Sequence, residues 1–302
     1  MALSRLSGLV AVTDVDDEFE SEQEMIRALM EVGILQDKMV CKKCASEMSL
    51  RTRGTSAEWR CRKSGRDCSS QSIRNSSWFK NASLPFKTAM KFFISYSNKL
   101  TGVQMERELK IAHTTCVDWC SMTRELCVKI CGTYPMIGGP NSIIEIDETA
   151  IHNRKYNRGA VKAQVVWVFG GIERGTRNMF ATVVPDRSSR TLIPILRRFV
   201  DPRSVIISDK WRAYQTVGQF FSRHETINHT EEFSRVAADG LLVSTNCVEG
   251  SWTRLKAPLK RGHGTTDEQL PGYIADFIVR EREGDGFLKK LLEALRTENV
   301  TH

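Results

Sequence analysis

Long apolar runs are missing from this 302-residue chain. None approaches the roughly 20 residues that a membrane-spanning helix requires. The opening stretch MALSRLSGLVAVTDVDDEFE lacks an apolar signal core with a cleavage site, so an intracellular protein is expected. A P-loop and a dinucleotide fingerprint are absent as well, which argues against a nucleotide cofactor. No internal repeat, long low-complexity tract or coiled-coil heptad organises the chain. What is present suffices for a folded protein: 41% hydrophobic residues, and a length suited to two domains or to one domain with appendages.

Charge is unevenly placed. Residues 1–38 carry 9 acids against 3 bases, residues 39–140 carry 17 bases against 7 acids, and residues 141–302 carry 24 bases against 20 acids. The basic middle is where a phosphate backbone would sit, although a basic surface alone also serves solubility. Motifs have to decide between the two.

The acidic head continues into EFESEQEMIRALMEVGIL, where Met25, Ile26, Leu29 and Met30 recur at helical spacing and Gly33 marks a stop. Cys41 and Cys44 then pair with Cys61 and Cys68 across a short polar linker. That is the pattern of a zinc ribbon, in which four thiolates around Zn²⁺ replace a core too small to hold itself. The second pair is C-x6-C, looser than the usual C-x2-C. Around it stand Lys42, Lys43, Arg51, Arg53, Arg60, Arg62, Lys63, Arg66 and Arg74, and a metal-stapled module so rich in bases points to nucleic acid.

Residues 84–131 read as helices. Thr101 can cap one carrying Val103, Met105 and Leu109, KIAHTT is a break, and a second helix runs from Thr115 with Val117, Trp119 and Leu126. This is a helix-turn-helix layout, shared with helical hairpins that have no DNA role. Cys116, Cys120, Cys127 and Cys131 fall on one face and read as small buried apolar residues, and no disulfide framework is implied.

From residue 141 the pattern changes to strands. NSIIEIDETAIHNR looks like a buried strand, yet it carries Glu145, Asp147 and Glu148 with no base before His152. Burying an unpaired carboxylate costs several kcal/mol, so these acids call for a buried base, protonation or a cation. Two further strands follow in AQVVWVFGGIER and NMFATVVPD, then a helix SRTLIPILRRFV capped by Ser188 or Ser189. Strand Val205 to Ile207 delivers Asp209, a helical WRAYQTVGQFF and a strand ETINHT come next, and a last helix begins near Thr245. Three antiparallel strands, helix, strand, helix, strand, helix is the order of the RNase H-like α/β fold: a mixed five-stranded sheet with helices. Its first and fourth strands are neighbours, so Asp147 and Asp209 can share cations with Glu249 from the late helix. Strand alternation puts Glu145 on the same side as Asp147, which leaves it a rival ligand.

IEIDETAI, SDKWRAY, INHTEEF and STNCVEGSWTRLK, in this order, resemble the catalytic core of Merlin-type DDE transposases and their bacterial insertion-sequence relatives. The amino-terminal cysteines and SIRNSSWF are similar to that family's DNA-binding region, so the likeness spans roughly residues 40 to 283. The resemblance implies catalytic roles for Asp147, Asp209 and Glu249 around two Mg²⁺ (or Mn²⁺) ions. It implies auxiliary roles for Asn246, for Lys256 two turns beyond Glu249, and for His229 in shaping the site. Core packing is expected of Trp211, Tyr214 and Trp252, with base stacking as the alternative.

The organisation expected is an acidic N-terminal helix (1–38), a zinc ribbon (39–82), a helical DNA-binding region (83–140), an RNase H-like DDE domain (141–283) and a C-terminal helix or tail (284–302). Lys42, Lys43, Arg60, Arg62, Lys63, Arg74 and Arg124 are the expected DNA contacts. The expected activity is DNA transposition: cutting at terminal inverted repeats, then joining the 3′-hydroxyl ends to target DNA, by a homodimer or higher oligomer because two ends must be paired. A eukaryotic copy would work in the nucleus and a bacterial one in the cytoplasm or nucleoid. The alternatives are a domesticated DNA-binding protein, a metal-dependent nuclease of the same fold, and a zinc-ribbon adaptor acting through protein contacts alone.

Overall fold

A computed structural model describes residues 2–54, 56–63, 68–152, 165–228, 231–261 and 265–298. His229 and Arg66 lie outside the described residues. In chain order the elements are α1 (Ala2–Ser7), α2 (Asp14–Glu18), α3 (Glu22–Glu31), β1 (Ser49–Arg53), β2 (Ser56–Cys61), β3 (Ser69–Ser72), α4 (Phe86–Ser97), α5 (Gly102–Leu109) and α6 (His113–Thr133). There follow β4 (Ile143–His152), β5 (Val165–Glu173), β6 (Met179–Val184), α7 (Ser189–Phe199), β7 (Val205–Asp209), β8 (Arg223–Ile227), β9 (Arg235–Val236), β10 (Leu242–Val243), α8 (Asn246–Arg261), α9 (Leu270–Glu283) and α10 (Phe287–Thr297). The chain divides into two compact units, residues 1–126 with 285–302, and residues 127–284. Among the described residues no helix is long and apolar enough to cross a membrane.

In the first unit, the head is helical as its spacing predicts, but in separate pieces. Ser21 caps α3 by accepting from Glu24 N, and Gly33, at φ +77°, ends that segment in a conformation that favours glycine. Strands β1, β2 and β3 form a small antiparallel sheet carrying Cys61 at the end of β2. The unit's core is aromatic: the Trp119 ring lies 5.5 Å from Trp78, 5.3 Å from Phe92 and 5.9 Å from Phe93. Thr101 and Gln104 make a reciprocal capping box at the start of α5, Lys110 turns left-handed at its end (φ 53°), and α6 starts at His113.

In the second unit, one sheet has the order β6-β5-β4-β7-β8, with the first three strands antiparallel and β7 and β8 parallel to β4. This mixed five-stranded sheet fits an RNase H-like transposase core. Ile144, Ile146, Phe169, Ile206 and Tyr214 are buried with Leu192 and Leu196 of α7 on one side. Ile151, Val168, Trp252, Leu255 and Ile274 are buried on the other. Ser188 caps α7 by accepting from Thr191 N.

Two expectations need correction here. WRAYQTVGQFF forms no α-helix but two single 3₁₀ turns, Arg212–Tyr214 and Val217–Gln219. Its buried positions, Ala213, Tyr214, Val217 and Phe221, recur at three- and four-residue spacings, which is why the stretch reads as a helix face. A two-stranded hairpin, β9 with β10, also stands between β8 and α8.

Candidate functional site

The parallel pairing of β4 with β7 aligns Ile143 with Val205, Ile144 with Ile206 and Glu145 with Ile207. Carried two residues onward, that register brings Asp147 level with Asp209. Their charges interact: Asp147 is raised to about 7 by burial first, then by Glu148 beside it and by Asp209. Asp147 forms no ion pair among the described residues, and Trp252 Nε1 donates to its Oδ2 at 3.0 Å. Asp209 Oδ1 accepts from Trp211 N at 3.0 Å.

The three acids of β4 thus meet three different fates, which answers the cost posed by the sequence. Glu145, wholly buried, takes Arg174 Nε and Nη2 at 2.9 and 2.7 Å on one oxygen and the Cys247 and Val248 amides on the other. It is fully engaged, so it is not the rival metal ligand that alternation left open. Glu148 is also buried and meets Arg187 Nη2 at 3.3 Å. The Arg187 guanidinium is in turn held between Trp167 and Trp211, 4.5 and 4.4 Å from the ring centroids. Asp147 is left as the acid of β4 with no ion pair among the described residues, next to a second acid. Sequence reasoning missed both arginines. The demand for buried bases was visible, but nothing local to β4 says that they arrive from just after β5 and from the turn into α7.

Helix α8 brings the rest. Glu249 lies in its first turn, exposed, with Thr245 Oγ1 donating to its Oε1 at 2.8 Å. Trp252, one turn on, is buried against Asp147, and Lys256, a further turn on, is half-buried. Burial and the neighbouring Lys260 lower the Lys256 ammonium, while Asp147 counteracts them, which puts this cation within range of Asp147. Asn246 is exposed in the first turn. Of the three aromatics expected in the core, Tyr214 and Trp252 are there, whereas Trp211 is 41% exposed. It follows Asp209 by two residues, outside a helix that could have turned it inward.

α8 can approach Asp147 because its ladder partner on β5 is Gly170. A Cβ there would stand 2.5 Å from Phe180 O and 2.6 Å from Trp252 Cη2. Gly170→Ala is therefore expected to lower stability by about 1–3 kcal/mol, the usual cost of overpacking, read as a reduced melting temperature. A second expectation concerns pH. The carboxyl of Asp147 titrates at about 7 when folded against an ordinary 3.8, so between these values the folded chain binds a proton that the unfolded chain does not. The metal-free protein accordingly loses stability as pH rises from 4 to 7, and Asp147→Asn removes that component, measured by denaturant melts across the range.

The oxygens of Asp147, Asp209 and Glu249 do not all lie within 4.8 Å of one another; among the described residues the four cysteines alone do so. A pair of ions about 3.5–4 Å apart spreads its carboxylates more widely than one ion does. Hard carboxylate oxygens with like charges adjacent make a donor set that suits Mg²⁺ or Mn²⁺.

In the cysteine group, Cys41 and Cys68 sulfurs are 3.7 Å apart, and those of Cys44 and Cys61 3.4 Å. All four are unbonded thiols able to hold a metal ion. The Cys41 thiol is lowered to about 6, chiefly by a hydrogen bond with Ser69, and Cys68 is raised to about 12, chiefly by Cys41 beside it. Lys42, Lys43, Arg62 and Lys63 are exposed around the group. Arg60 pairs with Glu58 at 2.8 Å, and Arg124 is half-buried on α6. Arg74 differs: its guanidinium lies 4.0 Å over Phe86 and donates to Leu84 O at 2.7 Å, with Nη1 buried and unpartnered. It pins the chain into α4 and is not on the exposed basic face.

A mixed five-stranded sheet of order β6-β5-β4-β7-β8 fits the RNase H-like class of transposase cores. Residues 136–281, just under half of the chain, match the family model described as the ISXO2-like transposase domain, which supports a transposase of the bacterial insertion-sequence type. That is the bacterial side of the resemblance, and the Merlin label is the looser one. An "Uncharacterized transposase-like protein" of Haemophilus influenzae is 28% identical over 101 residues, covering 32% of this chain and 76% of that protein. Among solved structures, the cryo-electron microscopy structure of the simian T-cell lymphotropic virus intasome in complex with PP2A regulatory subunit B56 gamma matches at 16% identity and a TM-score of 0.32. That match covers 61% of this chain and 66% of that one, just under two thirds of its length. A likeness that weak carries no argument. The family implies a DNA-processing role and divalent metal use.

Proposed function

We propose that the chain is a DDE transposase that cuts at the terminal inverted repeats of its own element and joins the freed ends to target DNA. The observation that supports this best is Asp147: a half-buried acid with no ion pair among the described residues, interacting with Asp209 and bonded to the helix of Glu249, in a segment that matches a transposase family model. These three acids would hold two divalent ions, which when bound activate the attacking oxygen and stabilise the departing one. In the first step a water oxygen bonds to phosphorus as the P–O3′ bond at the element's end breaks, releasing a 3′-hydroxyl. In the second, that hydroxyl attacks a target phosphate and displaces a target 3′ oxygen. No covalent protein intermediate is formed. Lys256 would meet a phosphate oxygen, and the Trp252 hydrogen bond to one oxygen of Asp147 would leave the other for a metal ion.

In the same reading, Cys41, Cys44, Cys61 and Cys68 hold structural Zn²⁺. The ribbon and the helical region, with Lys42, Lys43, Arg62, Lys63 and Arg124, grip the repeats mainly through phosphates. Two ends require at least a dimer. The test incubates the full chain and Mg²⁺ with DNA carrying the inverted repeats that flank its gene. Nicks bearing 3′-hydroxyls at the repeat boundary, followed by joined products, are expected. End binding without any cutting would instead mark a domesticated DNA-binding protein.

A further inference from the structure

Two residues before Asp147, the Glu145 carboxylate is buried beneath the start of α8. Its Oε2 accepts from Cys247 N at 2.8 Å and Val248 N at 3.2 Å. These amides belong to the first turn of the helix, where backbone N–H groups have no intrahelical acceptor and the helix dipole favours a negative charge. Thr245, directly before the helix, gives its hydroxyl to Glu249. Arg174, at the end of β5, fills Oε1 with two N–H groups and donates with the same guanidinium to Leu242 O at 2.6 Å and Ser244 O at 3.1 Å. That backbone leads into α8. One carboxylate and one guanidinium therefore tie together β4, β5 and the entry to the helix.

We propose that Glu145 is a positioning residue for the catalytic acids: clamped by Arg174, it fixes the amino end of α8 against β4 and so sets where Glu249 stands relative to Asp147. The roles of Asp147 and Glu249 in this statement rest on the transposase reading above. Carboxylate capping is in itself a structural device. Glu22 accepts the Phe86 and Lys87 amides at the start of α4, with no metal-binding acid on that helix. Glu145 differs in what it joins, a strand carrying one catalytic acid and a helix carrying another. Partners that orient metal ligands from behind alter metal affinity when lost, commonly by about 10- to 100-fold.

The test compares the full-length wild-type chain with Glu145→Gln, which keeps the shape but turns an amide N–H₂ toward groups that are all donors. Two readouts are independent of catalysis: hydrogen exchange at the Cys247 and Val248 amides, and Mn²⁺ binding followed by the resonance of the free ion. The variant is expected to exchange those two amides about tenfold faster or more, and to bind Mn²⁺ about tenfold more weakly. Its nicking should require correspondingly more Mg²⁺ and recover much of the wild-type rate at saturation. Arg174→Lys keeps a cation beside Glu145 but loses the fork; it is expected to shift both readouts in the same direction, and it decides the matter if Glu145→Gln does not fold. A folded variant that melts lower yet binds Mn²⁺ as the wild type does overturns the proposal, since the cap is then purely structural. A wild-type chain that neither binds Mn²⁺ nor cuts DNA strikes the transposase reading instead.

Discussion

Asp147→Asn and Asp209→Asn are each expected to slow Mg²⁺-dependent nicking at the element's ends by about 1,000-fold or more, roughly 4 kcal/mol of barrier. Asparagine has the shape of aspartate, so the fold should persist. At position 147 it keeps an oxygen for Trp252 Nε1 and removes the repulsion that Glu148 and Asp209 impose on the native carboxylate. The metal-free Asp147→Asn protein should therefore melt no lower than the wild type at pH 7, and its inactivity cannot be put down to misfolding. Glu249→Gln is expected to lose activity as well, with end binding intact in all three variants, as read by mobility shift. Retention of wild-type nicking by Asp147→Asn would remove the enzyme assignment.

Loss of metal from the cysteine group is expected to have the other large effect, and in a different place. The sheet β1-β2-β3 and its flanks offer few buried apolar side chains among the described residues, chiefly Met48, Ala57, Trp59 and Ile73, with Cys41 and Cys61. Binding of Zn²⁺ to four thiolates releases on the order of 10–16 kcal/mol in small zinc modules, and that energy holds such modules folded. One zinc per chain is expected by elemental analysis. Cys44→Ser, or chelation, should open residues 41–72 to protease and weaken binding to the inverted repeats by about 100-fold or more. The 127–284 unit should keep its circular dichroism and its melting transition. A chain free of zinc that still binds its ends at full strength would show that the thiols do not staple a DNA-binding module.

Much of this was legible in the residues themselves. The alternation through IIEIDETAI marks a strand, the Val205–Ile207 run marks another that ends on Asp209, and Ser188 and Thr101 announce the helices they cap. The order of these segments was enough to place β4 beside β7, because few topologies accommodate it. The cysteine spacing likewise foretold a group whose sulfurs lie close together. Where reading failed, it did so over short or long-range features. WRAYQTVGQFF holds helix-compatible residues, yet packing let it settle as two 3₁₀ turns and left Trp211 at the surface. Arg74 looked like one more base of a basic patch until Phe86 lay beneath it.

The sequence by itself determined which residues are acids, thiols and apolar positions, and in what periodic order, which suffices for strands, helices and their succession because those depend on neighbours along the chain. The division of labour among Glu145, Asp147 and Glu148 was decided only in the tertiary structure. Each carboxylate's state depends on which charge comes within a few ångströms of it. Those charges, Arg174 and Arg187, arrive from loops 29 and 39 residues away.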